Sequence, residues 1–346
     1  MKFFYLSISA LVVASVVSLS LAGPLQHPEE ISWEEFKTIY GKKYSTAEEE
    51  ALRRENFERS LKYVQENQGK HGVVLGINAL SDLSEHEFLA MNSATPPPVN
   101  LTSQTADHLP AELNEDEYAA LPTHFDWREH AHFNPIEQQG VCGSCWAFAT
   151  LATVEILTAF RHHTEVRLSK QELVDCSSQH FDPSYHNQGC TLGYPNDAYR
   201  YVQQHGVYEE AFYAYRGLGN ERCYSGSIGS RHPKYHVDGY YRLGNWAQDG
   251  TIMNILHGTA PGVVVIHGTS DVFKHYRGGI MRNLLPGSNT VNHVVALIGW
   301  GTEGGVDYWI IRNSWGQGWG EHGYARIERH HNLVGLNNWF SYPIMR

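Results

Sequence analysis

The chain has 346 residues, 42% of them hydrophobic, and a formal net charge of −11. That length holds more than one hydrophobic core, and an acidic balance gives no footing for nucleic-acid binding. The five cysteines all fall between Cys142 and Cys223, an odd number that leaves one thiol over after two disulfides form in an oxidising compartment.

Lys2 precedes an apolar run from Phe3 to Leu21, and Ser20-Leu21-Ala22 supplies small residues at its exit. Residues 1–22 therefore read as a cleaved signal peptide rather than a membrane anchor. No later segment is apolar for long enough to span a bilayer, so a product of the secretory pathway without a membrane span is expected. Residues 23–92 read as a helical segment. Thr46 and Glu49 have capping-box spacing, and Glu49, Arg53, Phe57, Ser60, Val64 and Gln68 then fall on one helical face. Periodicity alone describes only an amphipathic helix with surface ion pairs.

Residues 93–120 read as a linker. Thr95-Pro96-Pro97-Pro98 favours extended backbone, and Asn100-Leu101-Thr102 is the one Asn-x-Ser/Thr glycosylation acceptor in the chain. Charge divides here: residues 23–120 carry 18 Asp and Glu against 8 Lys and Arg, whereas the rest carries 19 against 17. Seventeen of the 21 histidines lie after residue 120. Acid-triggered release of the first part is expected, through protonation of carboxylates such as Asp82 and Glu49; the charge gained by the histidines argues weakly the other way.

Beyond the linker the pattern predicts helices after Cys145, over Ser169 to Asp175 and over Asn196 to His205. Strands are predicted at Tyr235 to Leu243, Gly262 to His267, His293 to Gly299, Asp307 to Arg312, Tyr324 to Glu328 and Phe340 to Ile344. The organising stretch is Gln139-Gly140-Val141-Cys142-Gly143-Ser144-Cys145-Trp146-Ala147-Phe148. Cys145 opens an apolar helical run, where unpaired N–H groups and the partial positive charge favour the thiolate. Gln139 offers a neutral donor which, together with the Cys145 N–H, would make an oxyanion hole. His293 opens an apolar strand, and Asn313-Ser314-Trp315 closes the next one. These read as a base, the amide that orients its ring and an indole that shields their bond. Taken singly they read equally as a histidine at a strand mouth and an asparagine in a turn.

The combination is more specific. Cys-Gly-Ser-Cys-Trp is followed by His293 at 148 residues from Cys145 and by Asn313 another 20 on, which resembles the papain family of cysteine peptidases on its cathepsin L-like side. The resemblance implies an α+β, two-domain fold over residues 121–346. A helical left domain and a β-barrel-like right domain would hold the active site in the cleft between them. It implies Cys142–Cys190 and Cys176–Cys223 disulfides with Cys145 free, and a resting Cys145 thiolate paired with protonated His293. It places Gly193, Tyr194, Pro195, Val265, Val291, Val294 and Trp339 around the non-primed subsites, with an apolar second pocket. Glu49, Arg53 and Phe57 resemble the Glu-Arg-Phe-Asn-Ile-Asn pattern of cathepsin L-type propeptides, with Val64 a conservative match and departures at Ser60 and Gln68. Gly76, Asn78 and Asp82 resemble Gly-x-Asn-x-Phe-x-Asp, with Leu80 in place of Phe. Residues 23–92 would thus be an inhibitory prodomain whose tail crosses the cleft, and the mature enzyme would begin between Ala111 and Pro122, its first strand in Leu121 to Arg128.

The implied protein is a thiol endopeptidase zymogen, lysosomal or extracellular, and a monomer. Its partners would be protein or peptide substrates, its own propeptide and cystatin-like inhibitors. It would need no metal or organic cofactor. Cys190-Thr191-Leu192-Gly193 departs from the family's Cys-Asn-Gly-Gly by a bulky Leu192, and the loop from Cys176 to Cys190, with His180 and His186, is longer than in papain. Two other readings stand beside this one: a redox or metal Cys142-x-x-Cys145 pair, and a secreted binding protein that has kept the fold without catalysis.

Overall fold

The computed structural model describes residues 30–92, 115–219, 222–229, 231–243 and 246–346. The leader, Asn100 and most of the linker lie outside them. Helices are α1 (Trp33–Ile39), α2 (Ala47–Asn67), α3 (Glu85–Ala90), α4 (Glu115–Ala119), α5 (Cys145–His162), α6 (Lys170–Cys176), α7 (Pro195–His205), α8 (Ser225–Ile228), α9 (Asp249–Gly258) and α10 (Asp271–Lys274). Strands are β1 (Val73–Leu75), β2 (Phe125–Asp126), β3 (Gly239–Arg242), β4 (Gly262–Ile266), β5 (Tyr276–Met281), β6 (His293–Glu303), β7 (Val306–Arg312), β8 (Tyr324–Glu328) and β9 (Phe340–Ile344).

The strands follow the order β1-β5-β8-β7-β6-β4-β9-β3, with β2 paired onto β6. This is an open path, so the barrel-like layer expected from the sequence does not close among the described strands. β6 lies at its centre and is buried from His293 through Gly301, which its unbroken apolar run requires. α5 is buried from Cys145 through Thr158: a helix apolar on every face packs between layers. It lies against β6 on one side and α6 and α7 on the other.

The prodomain is built on α2. Phe57, Ser60 and Val64 are buried there, as the four- and three-residue spacing predicts. Its start differs in detail. Thr46 caps the Glu49 N–H at 3.1 Å, but the Glu49 carboxylate turns to the Ser45 N–H at 2.8 Å, so the reciprocal bond of a capping box is made one residue early. Arg53 makes a two-pronged ion pair with Glu87 at 2.7 and 2.8 Å. Asp82 accepts from Lys42 at 2.8 Å and from the Tyr44 hydroxyl at 2.9 Å. These two clamps close the loop between α2 and α3.

β1 was not expected, and it joins the prodomain to the sheet edge. It pairs antiparallel with β5, Val73 opposite Gly279, while the Gly76 N–H donates to the His275 carbonyl at 2.9 Å and the Asn78 amide to that of Lys274 at 2.8 Å. Three residues of strand carry no readable period, and β5 contains Gly278 and Gly279, which conceal it too.

Candidate functional site

Two chain segments from opposite layers are sewn together at the site. Gln138 bridges Trp315, and the Gln139 N–H donates to the Ser314 carbonyl at 2.9 Å. This sets the loop ahead of α5 against the turn after β7. Cys145, the first residue of α5, meets the start of β6, where Val294 follows His293.

The bonds fix the chemistry of each polar group. Asn313 Oδ1 accepts from the Ser314 N–H at 2.8 Å, which identifies it as the carbonyl oxygen, and it also lies 2.8 Å from His293 Nε2. Nε2 must therefore carry the proton, and in the neutral ring Nδ1 keeps its lone pair. Nδ1 has no hydrogen-bond partner among the described residues. The ring stacks on Trp315 at 4.7 Å between centroids. Gln139 is oriented by its two carbonyl partners, which only accept: Nε2 donates to the carbonyls of Cys142 at 2.8 Å and Met91 at 2.9 Å, so Oε1 accepts from the Ser314 hydroxyl at 2.7 Å.

Met91 follows α3, within the segment expected from the sequence to be the prodomain. Its carbonyl sits on the amide that would serve a substrate oxyanion, while Phe88 lies against Trp315 at 5.5 Å between ring centroids. Cys145, His293 and Gln139 are all fully buried at the covered site. Burial pushes the Cys145 thiol up to about 12, outweighing backbone N–H groups of Val294, Trp146 and Cys145 that favour the thiolate. Burial likewise pulls His293 down to about 4, against the Asn313 bond. Both shifts disfavour the charged pair implied by the resemblance while the site is covered, because burial penalises each charge.

Cys142 is bonded to Cys190 and Cys176 to Cys223, and Cys145 is free and buried. Cys142 cannot then pair with Cys145, which removes the redox or metal reading of that motif. Gly193 packs on the Trp146 ring, with which any Cβ would collide. Tyr194 and Pro195 start α7, the Tyr194 N–H held by Asn187 at 2.6 Å. Val265 pairs with Val294 across β4 and β6, so both point to the α5 side. Continuing the β4–β9 register, Trp339 falls in the same row. It is 1% exposed, with the Arg242 guanidinium over its ring at 3.4 Å. Val291 is buried a strand-end away, beside Gly335.

Sequence reasoning missed Ser314, Phe88 and Met91. Only Ser314 carried a signal, its place beside Asn313; Met91 acts through its backbone, which has no residue signature.

Comparison with known proteins follows the same division. Residues 121–344 match the model of the papain family cysteine proteases, and residues 33–88 that of the cathepsin propeptide inhibitor domain. The chain belongs to the papain family of cysteine proteases and is a hydrolase made as a proenzyme. A cysteine protease of Blomia tropicalis is 40% identical over 337 residues, covering 97% of this chain and 99% of the relative. A structure from a study of antibody cross-reactivity between the mite allergens Blo t 1 and Der p 1 superposes with a TM-score of 0.78 at 38% identity. It covers 91% of this chain and all of the other. Digestive procathepsin L 3 of Tenebrio molitor larval midgut gives 0.75 at 30% identity, covering 90% of this chain and 98% of that one.

Proposed function

We propose that the protein is a secretory-pathway thiol endopeptidase whose nucleophile is Cys145 and whose base is His293. Residues 1–22 are its signal peptide, 23–92 its inhibitory prodomain, 93–120 its activation segment, with Asn100 glycosylated, and 121–346 its monomeric peptidase domain. The observation that carries the reading is the Met91 carbonyl bound by Gln139 Nε2 at 2.9 Å, a peptide carbonyl seated on the amide expected to receive the oxyanion.

Removal of the prodomain admits water, which lowers the cost of charge and lets the proton pass from Cys145 to His293 Nδ1. The thiolate attacks the peptide carbonyl carbon, and the oxyanion is held by Gln139 Nε2 and the Cys145 N–H. The imidazolium gives its proton to the leaving amine as the C–N bond breaks. Water, deprotonated by His293, then attacks the thioester and releases the acid and the thiol. Asn313 holds the ring in the productive tautomer and Trp315 keeps water from their bond. Gly193 binds the substrate backbone, and Tyr194, Pro195, Val265, Val291, Val294 and Trp339 line an apolar second subsite that takes small aliphatic side chains in preference to Phe. The enzyme acts in a lysosomal or extracellular compartment on protein substrates and is open to cystatin-like inhibitors.

The test is hydrolysis of fluorogenic dipeptide substrates by acid-matured protein, with a thiol-alkylating epoxide and Cys145→Ala as controls. Activity lost with both is expected. Folded, processed protein that is inactive from pH 4 to 8 would transfer the weight to the binding-protein reading. A Phe-Arg substrate cleaved faster than Val-Arg would overturn the subsite assignment alone.

A further inference from the structure

Ser144 is the N-cap of α5, but its backbone is near-helical (φ −98°, ψ 15°) rather than extended, and its side chain makes no capping bond among the described residues. Serine at this position ordinarily accepts from the N–H two or three residues on, here Trp146 or Ala147. Elsewhere in this chain Ser32, Ser84, Ser169 and Ser270 all do so. Ser144 instead lies 2.7 Å from the Tyr215 hydroxyl, which lies 2.7 Å from the Gln139 carbonyl. A carbonyl only accepts, so Tyr215 donates its one proton to Gln139 and Ser144 must donate to Tyr215. The result is a directed chain, Ser144 O–H to Tyr215 O–H to Gln139 O=C. Tyr215 is itself fixed, its N–H donating to Glu210 at 2.6 Å and its ring set edge-on to Phe148 at 4.8 Å.

We infer that Tyr215 is a positioning residue for the reaction: its hydroxyl ties the Gln139 backbone to the residue before the nucleophile. The two oxyanion donors belong to Gln139 and to Cys145, the neighbour of Ser144, so the relay sets their separation. The inference rests on the proposed roles of Gln139 and Cys145.

The test uses matured enzyme and four variants: Tyr215→Phe, Ser144→Ala, the two combined, and Gln139→Ala. Each is measured for kcat and KM per epoxide-titratable thiol, and for alkylation rate against pH. Tyr215→Phe is expected to lower kcat about tenfold with KM within about twofold, and to leave the alkylation profile in place because the surroundings of the sulfur are kept. Ser144→Ala cuts the same relay and should lower kcat in the same way, so the double variant should lose no more than about twice the larger single loss. Three results would overturn the inference: unchanged kcat per thiol in Tyr215→Phe; a loss confined to the number of titratable thiols; or single losses that multiply in the double variant. Gln139→Ala separates the two levels. If it leaves kcat intact the oxyanion assignment fails and the inference with it. If it lowers kcat while Tyr215→Phe does not, the inference alone fails.

Discussion

At the residue scale the site is held by bonds that decide which atom faces the substrate. Gln139 is the clearest case: the Cys142 and Met91 carbonyls, which only accept, fix Nε2 as the donor, and the Ser314 hydroxyl holds Oε1 at 2.7 Å. Ser314→Ala removes one neutral hydrogen bond, worth about 1 kcal/mol, and lets the amide turn. A roughly fivefold fall in kcat with little change in KM is expected, checked by steady-state kinetics per titrated thiol. Lys170 shows the opposite economy. It is fully buried between Glu137 at 2.5 Å and Glu155 at 2.7 Å, and the two carboxylates outweigh burial to hold its pKa raised. Lys170→Met leaves two buried carboxylates facing each other. Destabilisation of about 3–5 kcal/mol is expected, visible as a lowered melting temperature.

At the scale of elements, prodomain and peptidase meet where α3, β1 and the loop between them cover α10 and β5. The Arg53–Glu87 pair ties α2 to the start of α3, the helix that carries Phe88 toward Trp315. Burial raises the Glu87 pKa, but Arg53 and Ser84 outweigh it and hold the carboxyl below its ordinary 4.5. A lowered carboxylate pKa adds stability above that value and loses it as pH falls below it. Arg53→Ala should remove this bond at every pH, an effect of about 1 kcal/mol, so zymogen maturation should quicken at neutral pH. An unchanged processing rate would exclude the pair as a latch. Glu49, by contrast, only caps a turn, and the Asp82 carboxylate holds the prodomain's own fold through Lys42 and Tyr44.

At the scale of the whole molecule, acid release has a second sensor on the peptidase side. His275 is buried under the prodomain, its ring 5.9 Å from that of Tyr63 on α2, and its Nδ1 has no partner. Burial, then the neighbouring Lys274 charge, pull its pKa from 6.5 to about 3; Asp271 is the nearby acid. A depressed histidine pKa leaves docking intact above 6.5 and weakens it progressively as pH falls from there toward 3. This window opens before that of Glu87. The charge gained by the mature part's histidines argues weakly for docking, whereas protonation of this one opposes it, because it must occur in a buried site. His275→Asn should slow maturation at about pH 4 to 5 and leave it unchanged at neutral pH. Equal processing at both would remove His275 from the trigger.

What the sequence by itself determined is local or repeated: the apolar helix behind Cys145, the buried strand opening at His293, the buried face of α2, and the motif that binds them into one family. Each is legible because periodicity and spacing survive in one dimension. What tertiary structure alone decided involves backbone, burial and long approach. The Met91 carbonyl reaches Gln139 across 48 residues and the Tyr215 hydroxyl across 76, neither with any local pattern to announce it. β1 finds β5 through main-chain bonds that any side chains permit. The protonation of Cys145 and His293 is decided last of all, since a charge's cost depends on how much water the packed prodomain excludes, a quantity that exists only once the chain has folded.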